Sequence, residues 1–177
     1  MENVIIFMFC AALTVFGGMT LSQNFLSSVD ASTTGLTAME ERNYSILQTN
    51  LSPLTASQDS ANTVEISLRN NGQTKLGDFA KWDVIIQYYD NDNNYYIRWL
   101  PYTTGTPAGN QWTVKGIYLN ATSESPEVFE PGIFNPREEM VIEAVLDPPV
   151  KGNTSNLAVV NTPNGVSASI IFAGYSP

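Results

Sequence analysis

Asp90-Asn91-Asp92-Asn93-Asn94 places five oxygen-bearing residues in a row. Carboxylate and amide oxygens are the ligands that a hard cation such as calcium takes, so Asp90, Asp92 and Asn94 are the metal-ligand candidates of the chain. The glycine and closing glutamate that an EF-hand loop requires are absent, and the same residues suit a polar hairpin turn tolerant of positive φ, the reading we favour. A second chemistry is covalent. Four Asn-x-Ser/Thr sequons begin at Asn43, Asn50, Asn120 and Asn153; a chain this rich in Asn, Ser and Thr carries several by chance, and on an exported chain Asn120 and Asn153, in its outer part, are the candidates for an N-linked glycan. Asn43 and Asn50 lie seven residues apart, which on a continuous helix would set them on one face. A third group is aromatic: Tyr88, Tyr89, Tyr95, Tyr96, Trp99 and Tyr102 crowd into fifteen residues. Alternation along strands cannot turn them all inward, which leaves a carbohydrate-binding or inter-subunit face as the alternative to core packing.

Nothing in the sequence resembles catalytic machinery. There is no histidine, the side chain most often used for proton transfer near neutral pH and for metal ligation. Serines abound without a base to activate them, and no phosphate loop is visible. We expect no enzyme and no cofactor. The balance of 8 basic and 17 acidic residues, a net charge of −9, disfavours nucleic acid, whose phosphates need a basic surface. Cys10 is the single cysteine, so no disulfide can staple the chain. It sits in an apolar run behind the bulky Phe7-Met8-Phe9, where a lipid-attachment signal would have small residues, and reads as a small apolar side chain.

These residues need elements to hold them. From Val4 to Met19 only Thr14 is polar, and no Lys or Arg precedes Arg42. With Thr20 and Leu21 the run approaches the ~20 residues needed to cross a bilayer. The missing basic flank makes it a poor secretory signal and suggests that a short basic leader has been removed, leaving residue 1 near the mature terminus. Apolar residues continue at helical spacings through Leu21, Phe25, Val29, Leu36, Met39, Leu47, Leu51 and Leu54. A helix over about residues 3–50 would be roughly 70 Å long at ~1.5 Å per residue. One small domain cannot cover it, so it needs lipid at one end and neighbouring copies along the rest; the alternative is a simple membrane anchor with a flexible stalk.

Beyond Pro53 the pattern changes to period two. Thr63–Arg69 alternates Val64, Ile66 and Leu68 with polar residues, and Asn70-Asn71-Gly72 supplies a turn. Further strands are expected at Asp83–Tyr89, Tyr95–Leu100, Trp112–Leu119, Met140–Leu146, Leu157–Val160 and Val166–Phe172, separated by turn-forming runs such as Pro163-Asn164-Gly165. The expected class is α+β: a helical segment over 1–52, then an antiparallel immunoglobulin-like sandwich over 53–177.

Two stretches carry a family resemblance. Ser67–Asp90 (SLRNNGQTKLGDFAKWDVIIQYYD) joins an Asn-x-Gly turn to a Phe-x-x-x-Asp-Val segment, and Val159–Val166 holds a Val-Val-x-Thr-Pro-Asn-Gly-Val hairpin. Placed behind a bare apolar helix, they resemble the archaeal flagellins (archaellins), the archaellum accessory proteins and the archaeal type IV pilin-like proteins. The resemblance implies a leader cut by a prepilin-type peptidase, a membrane-inserted precursor, a filament assembly machinery as partner, and helices bundled in an extracellular homopolymer with sandwiches outside. On that reading Glu2, Val4, Ile5, Ile6, Phe7, Phe9, Leu13, Phe16, Leu21 and Phe25 form the assembly surface. Glu2 would stabilise the helix start or pair with a neighbour's α-amino group. The function expected is a structural filament subunit for motility or adhesion. The alternative is a membrane-anchored, envelope-binding sandwich of the archaellum accessory or stator kind.

Overall fold

The computed structural model describes residues 2–60, 62–127 and 129–175, with the side chain of Glu2 left out of the description. Helix α1 runs from Glu2 to Gln48. No proline interrupts it, and its threonines turn their hydroxyls back onto the preceding turn. Thr14 donates to the Cys10 carbonyl at 2.6 Å, and Thr20 to the Phe16 carbonyl at 3.1 Å. A hydroxyl satisfied within its own helix is tolerable in an apolar surround, so the threonines do not break the apolar run. The chain divides into two compact units, one up to Tyr44 and one from Ser45 onward, so that the last helical turn belongs to the second.

The second unit is an immunoglobulin-like sandwich of two antiparallel sheets, in agreement with the expected class. The strands are β1 (Leu51–Gln58), β2 (Thr63–Asn70), β3 (Asp83–Tyr89), β4 (Tyr95–Leu100), β5 (Gln111–Asn120), β6 (Ser125–Pro126), β7 (Glu139–Val145), β8 (Ser155–Asn161) and β9 (Ser167–Ala173). One sheet has the order β1-β2-β7-β5-β6, the other β4-β3-β8-β9. Alternation decides which side chains enter the core: Val64, Ile66 and Leu68 from β2, Val84, Ile86 and Tyr88 from β3, Ala158 and Val160 from β8. Central β7 is buried on nearly every residue from Glu139 to Ala144, because β2 and β5 flank it. Trp82, Trp112 and Phe134 fill the middle, and Trp82 donates its indole N–H to the Gly77 carbonyl at 2.9 Å.

Two strands escaped the sequence pattern. Leu51 and Leu54, spaced as if they continued the helix, lie in β1, where Leu51 is buried. Pro53 is accommodated because β1 is an edge strand and its register shifts between Pro53 and Thr55. β6 is only two residues long, too short to show a period. The helix also stops at Gln48, so Asn43 and Asn50 do not share a helical face: Asn43 is on α1 and Asn50 is outside it.

Candidate functional site

The last helical turn is tied to turns of both sheets of the second unit. Its free carbonyls need donors once the helix ends. The turn after β2 supplies one, Gln73 N–H to the Gln48 carbonyl at 2.7 Å, while Asn71 and Gly72 N–H both reach the Asn50 carbonyl, at 2.8 and 3.1 Å. Gly72 is required by this approach. A Cβ there would land on the Gln48 carbonyl oxygen and 2.6 Å from the Asn50 nitrogen, backbone atoms that cannot move aside. From the other sheet, Asn164 in the β8–β9 turn donates its side-chain amide to the Thr49 hydroxyl (2.8 Å), the Ser45 hydroxyl (3.1 Å) and the Ser45 carbonyl (3.3 Å). Gly165, at φ +92, completes that turn.

Asn70 organises the loop that reaches the helix. It is fully buried, and its side-chain amide donates to the Thr74 carbonyl (2.8 Å) and the Phe134 carbonyl (3.0 Å) while its oxygen accepts from Gly72 N–H (3.0 Å). Each polar atom of a buried amide is therefore used. The sequence shows Asn70-Asn71-Gly72 and Pro163-Asn164-Gly165 only as turn formers; that both meet the helix end is visible in the fold alone.

Asp90 closes the β3–β4 turn. Its carboxylate accepts from Asp92 N–H (2.9 Å), Asn94 N–H (2.8 Å) and the Asn94 side chain (2.9 Å), with Asn93 at φ 66. Burial works to raise the Asp90 carboxyl, but the donors of Asn94 and Asp92, with the Tyr96 hydroxyl, outweigh it and hold the group below the ordinary range. The oxygens of Asp90 are thus occupied by the turn itself, and Asp92 is exposed. Among the described residues no three His, Cys, Asp or Glu side chains are grouped so as to share a metal ion.

The sequon asparagines are all exposed. Asn120 ends β5 and its side-chain oxygen accepts from Ser123 N–H at 2.9 Å, while Asn153 stands at φ 59 ahead of β8 with its N–H on the Gly174 carbonyl. The six clustered rings divide by strand parity. Tyr88 is fully buried, Tyr96 and Tyr102 pack against the core, and Tyr89, Tyr95 and Trp99 face outward. The outward rings are held at their polar ends: Trp99 N–H donates to Asp83 and the Tyr95 hydroxyl to Gln87, each at 2.8 Å.

On α1, Val4, Ile5, Ile6, Phe7, Phe9, Leu13, Phe16, Leu21 and Phe25 are all exposed along the helix. By length and composition this helix is long and apolar enough to cross a membrane. The carboxylate of Glu2 lies outside the described residues.

A family model described as conserved flagellar protein F, immunoglobulin-like domain, matches residues 50–174. Among solved structures, the archaellum periplasmic stator protein FlaG from Sulfolobus acidocaldarius is similar with a TM-score of 0.51 and 22% identity, over 70% of this chain and 99% of that one. The periplasmic stator complex of FlaF and FlaG from the same organism gives 0.51 and 23%, over 69% and 87%. The archaeal flagellum of Methanospirillum hungatei strain JF1 gives 0.47 and 10%, over 99% and 93%. No curated protein matches the chain.

Proposed function

Because the chain belongs to the conserved flagellar protein F family through its immunoglobulin-like domain, we propose that it is an accessory protein of the archaellum, held in the membrane by α1 and gripping a component of the cell envelope with its sandwich. The observation that carries this reading is where the helix stops being apolar. Val4 to Leu21 is one bilayer's worth of continuous apolar surface, exposed nearly throughout. From Ser22 to Asn43 the helix is mostly Ser, Thr, Asn, Gln and acidic residues, with Phe25, Leu26, Val29, Leu36 and Met39 set among them. Lipid satisfies the first half, and water is an adequate solvent for most of the second. A filament core would call for apolar surface along the full length, which is why the homopolymer reading gives way here to the anchored one.

In this role the protein is stationary. Force on the sandwich passes into its own last helical turn through the Asn164 and Gly72 contacts, and chemistry is left to other components. Asn120 and Asn153 are then acceptors for N-linked glycans on the exported unit; Asn120→Gln and Asn153→Gln each remove one glycan mass from the native protein, and unchanged masses contradict that assignment. The functional reading is tested by shearing cells and separating extracellular fibres from membranes. The chain should remain with the membranes and require detergent; its recovery as the main constituent of the fibres would restore the filament reading.

A further inference from the structure

On its outer side β5 pairs with the two residues of β6 through Tyr118 and Asn120, and its register against β7 shifts between Val114 and Gly116. Among the described residues the stretch around that shift has no strand beyond it, and a cavity of about 330 Å³ opens there, at the small end of the range for ligand sites. Its walls are apolar: Val114 and Ile117 from β5, Phe79 from the short helical turn Phe79–Lys81, and Tyr102. Both rings are fixed by packing. Phe79 stands edge-on to Trp82 with ring centres 5.4 Å apart, and Tyr102 to Trp112 at 4.9 Å. The loop after β6 closes the remaining side with Gly132 and one carboxylate, Glu127. That carboxylate is half used. Glu127 Oε1 accepts the Gly132 N–H at 2.9 Å, while Oε2 is buried and has no hydrogen-bond partner among the described residues. Burial pushes the carboxyl above its ordinary range; the Gly132 N–H works against this, and the charge of Glu138 adds to it. Buried polar atoms nearly always have a partner, so the free oxygen asks for a donor.

We propose that this cavity takes the side chain of a lysine from a protein partner, with the methylenes against Val114, Ile117 and the two rings and the ammonium on Glu127. The soft terminal torsion of a glutamate lets its free oxygen turn toward an arriving donor. The walls select this class of ligand. A sugar carries a hydroxyl on nearly every carbon and would bury most of them unpaired here. A lysine side chain has an apolar stem and one polar end, as the cavity does. The planar fork of an arginine calls for two acceptor oxygens side by side, and Gly132 already holds one of the two on Glu127. The occupant comes from outside, because the four lysines of this chain are engaged elsewhere: Lys75 with Glu130, Lys81 with Asp78, Lys115 with Glu65 and Lys151 with Asn93. Phe129 argues for a protein over a free amine. It belongs to the same loop as Glu127 and Gly132, is 76% exposed, and offers a partner's surface an aromatic contact beside the lysine. The net charge of −9 draws in a basic partner. The cavity lies within the sandwich, so its chemistry is the same whether α1 anchors the chain or joins a polymer.

The test uses the full chain in detergent, with its isoleucine and valine methyl groups labelled for NMR. Nα-acetyl-lysine methylamide is the probe, and the norleucine analogue, which keeps the stem and lacks the ammonium, is its control. The lysine probe should shift the methyl signals of Ile117 and Val114 and saturate with a Kd of about 1 mM, and the norleucine analogue should bind roughly tenfold more weakly or worse. Glu127→Gln should lose a similar factor. Glu130→Gln removes the same charge from the same loop and should bind as the parent does, which separates the cavity from general attraction to an acidic protein. Should Glu127→Gln fail to fold, the comparison of the two probes on the parent chain decides by itself. The proposal is overturned if lysine and norleucine probes bind alike, or if Glu127→Gln and Glu130→Gln weaken the lysine probe equally. It is also overturned if pentane-1,5-diamine binds more tightly than the lysine probe and loses that advantage in Glu127→Gln, which would assign the cavity to a free amine.

Discussion

Asn164 and Thr49 are 115 positions apart in the chain and joined by a 2.8 Å hydrogen bond from amide to hydroxyl. That bond fastens a β-turn of one sheet to the residue at which the helix has just ended. Asn164→Ala removes it together with the two contacts to Ser45, leaving part-buried hydroxyls without their donor. A loss of about 1–2 kcal/mol is expected, read as an earlier urea midpoint of the detergent-held chain. Gly72→Ala should cost more, because its methyl group meets backbone on both sides. Equal midpoints for Asn164→Ala and the parent would remove the helix-end joint from the account.

Asp90 predicts a pH dependence of definite sign. Its carboxyl is held below the unfolded value of 3.8, so its stabilising effect is complete above that value and disappears as pH falls through the lower, folded one. Asp90→Asn should therefore be less stable than the parent near neutral pH. Below about pH 3.8 the two should converge, because the parent's carboxyl is then taking up its proton. Comparison of denaturation midpoints at several pH values isolates this group, since the other carboxylates are common to both proteins. A gap that widens toward acid contradicts the assignment.

The anchoring role proposed for the first half of α1 predicts an asymmetry along the helix. Leu13→Arg places a charge at the centre of the apolar run, where the cost is about 2.5–3.5 kcal/mol. Leu36→Arg places one in the polar half. The first should reduce the fraction of protein that resists alkaline extraction from membranes, and the second should not. Equal loss in both would mean that the whole helix is embedded.

Much of the fold is legible in the residues. The strict alternation of Val64, Ile66 and Leu68 and the apolar run Val4–Met19 each demand one structure, because period two and an unbroken apolar surface have few alternatives. β1 was hidden because Leu47, Leu51 and Leu54 keep a helical spacing across the real helix end, and Pro53 argues against a strand until its edge position is known. The helix-end joint was hidden for a different reason. Asn70, Asn164 and Gly72 are ordinary turn residues in sequence, and their partners lie far along the chain, where no local pattern reaches. Of the motifs behind the resemblance to archaellum proteins, the Asn-x-Gly turn and the Val159–Val166 hairpin meet at this joint, while Phe79–Val84 leads into β3; the resemblance extends to anchored and filament proteins alike. What separates the two readings is the length of the apolar run, not its presence.

Position in the cell tests the central claim most directly. An epitope inserted in the exposed loop at Gly105 and visualised by immunogold on isolated envelopes with filaments attached should appear on the envelope at filament bases. Gold distributed along the length of the filaments would contradict the anchored account.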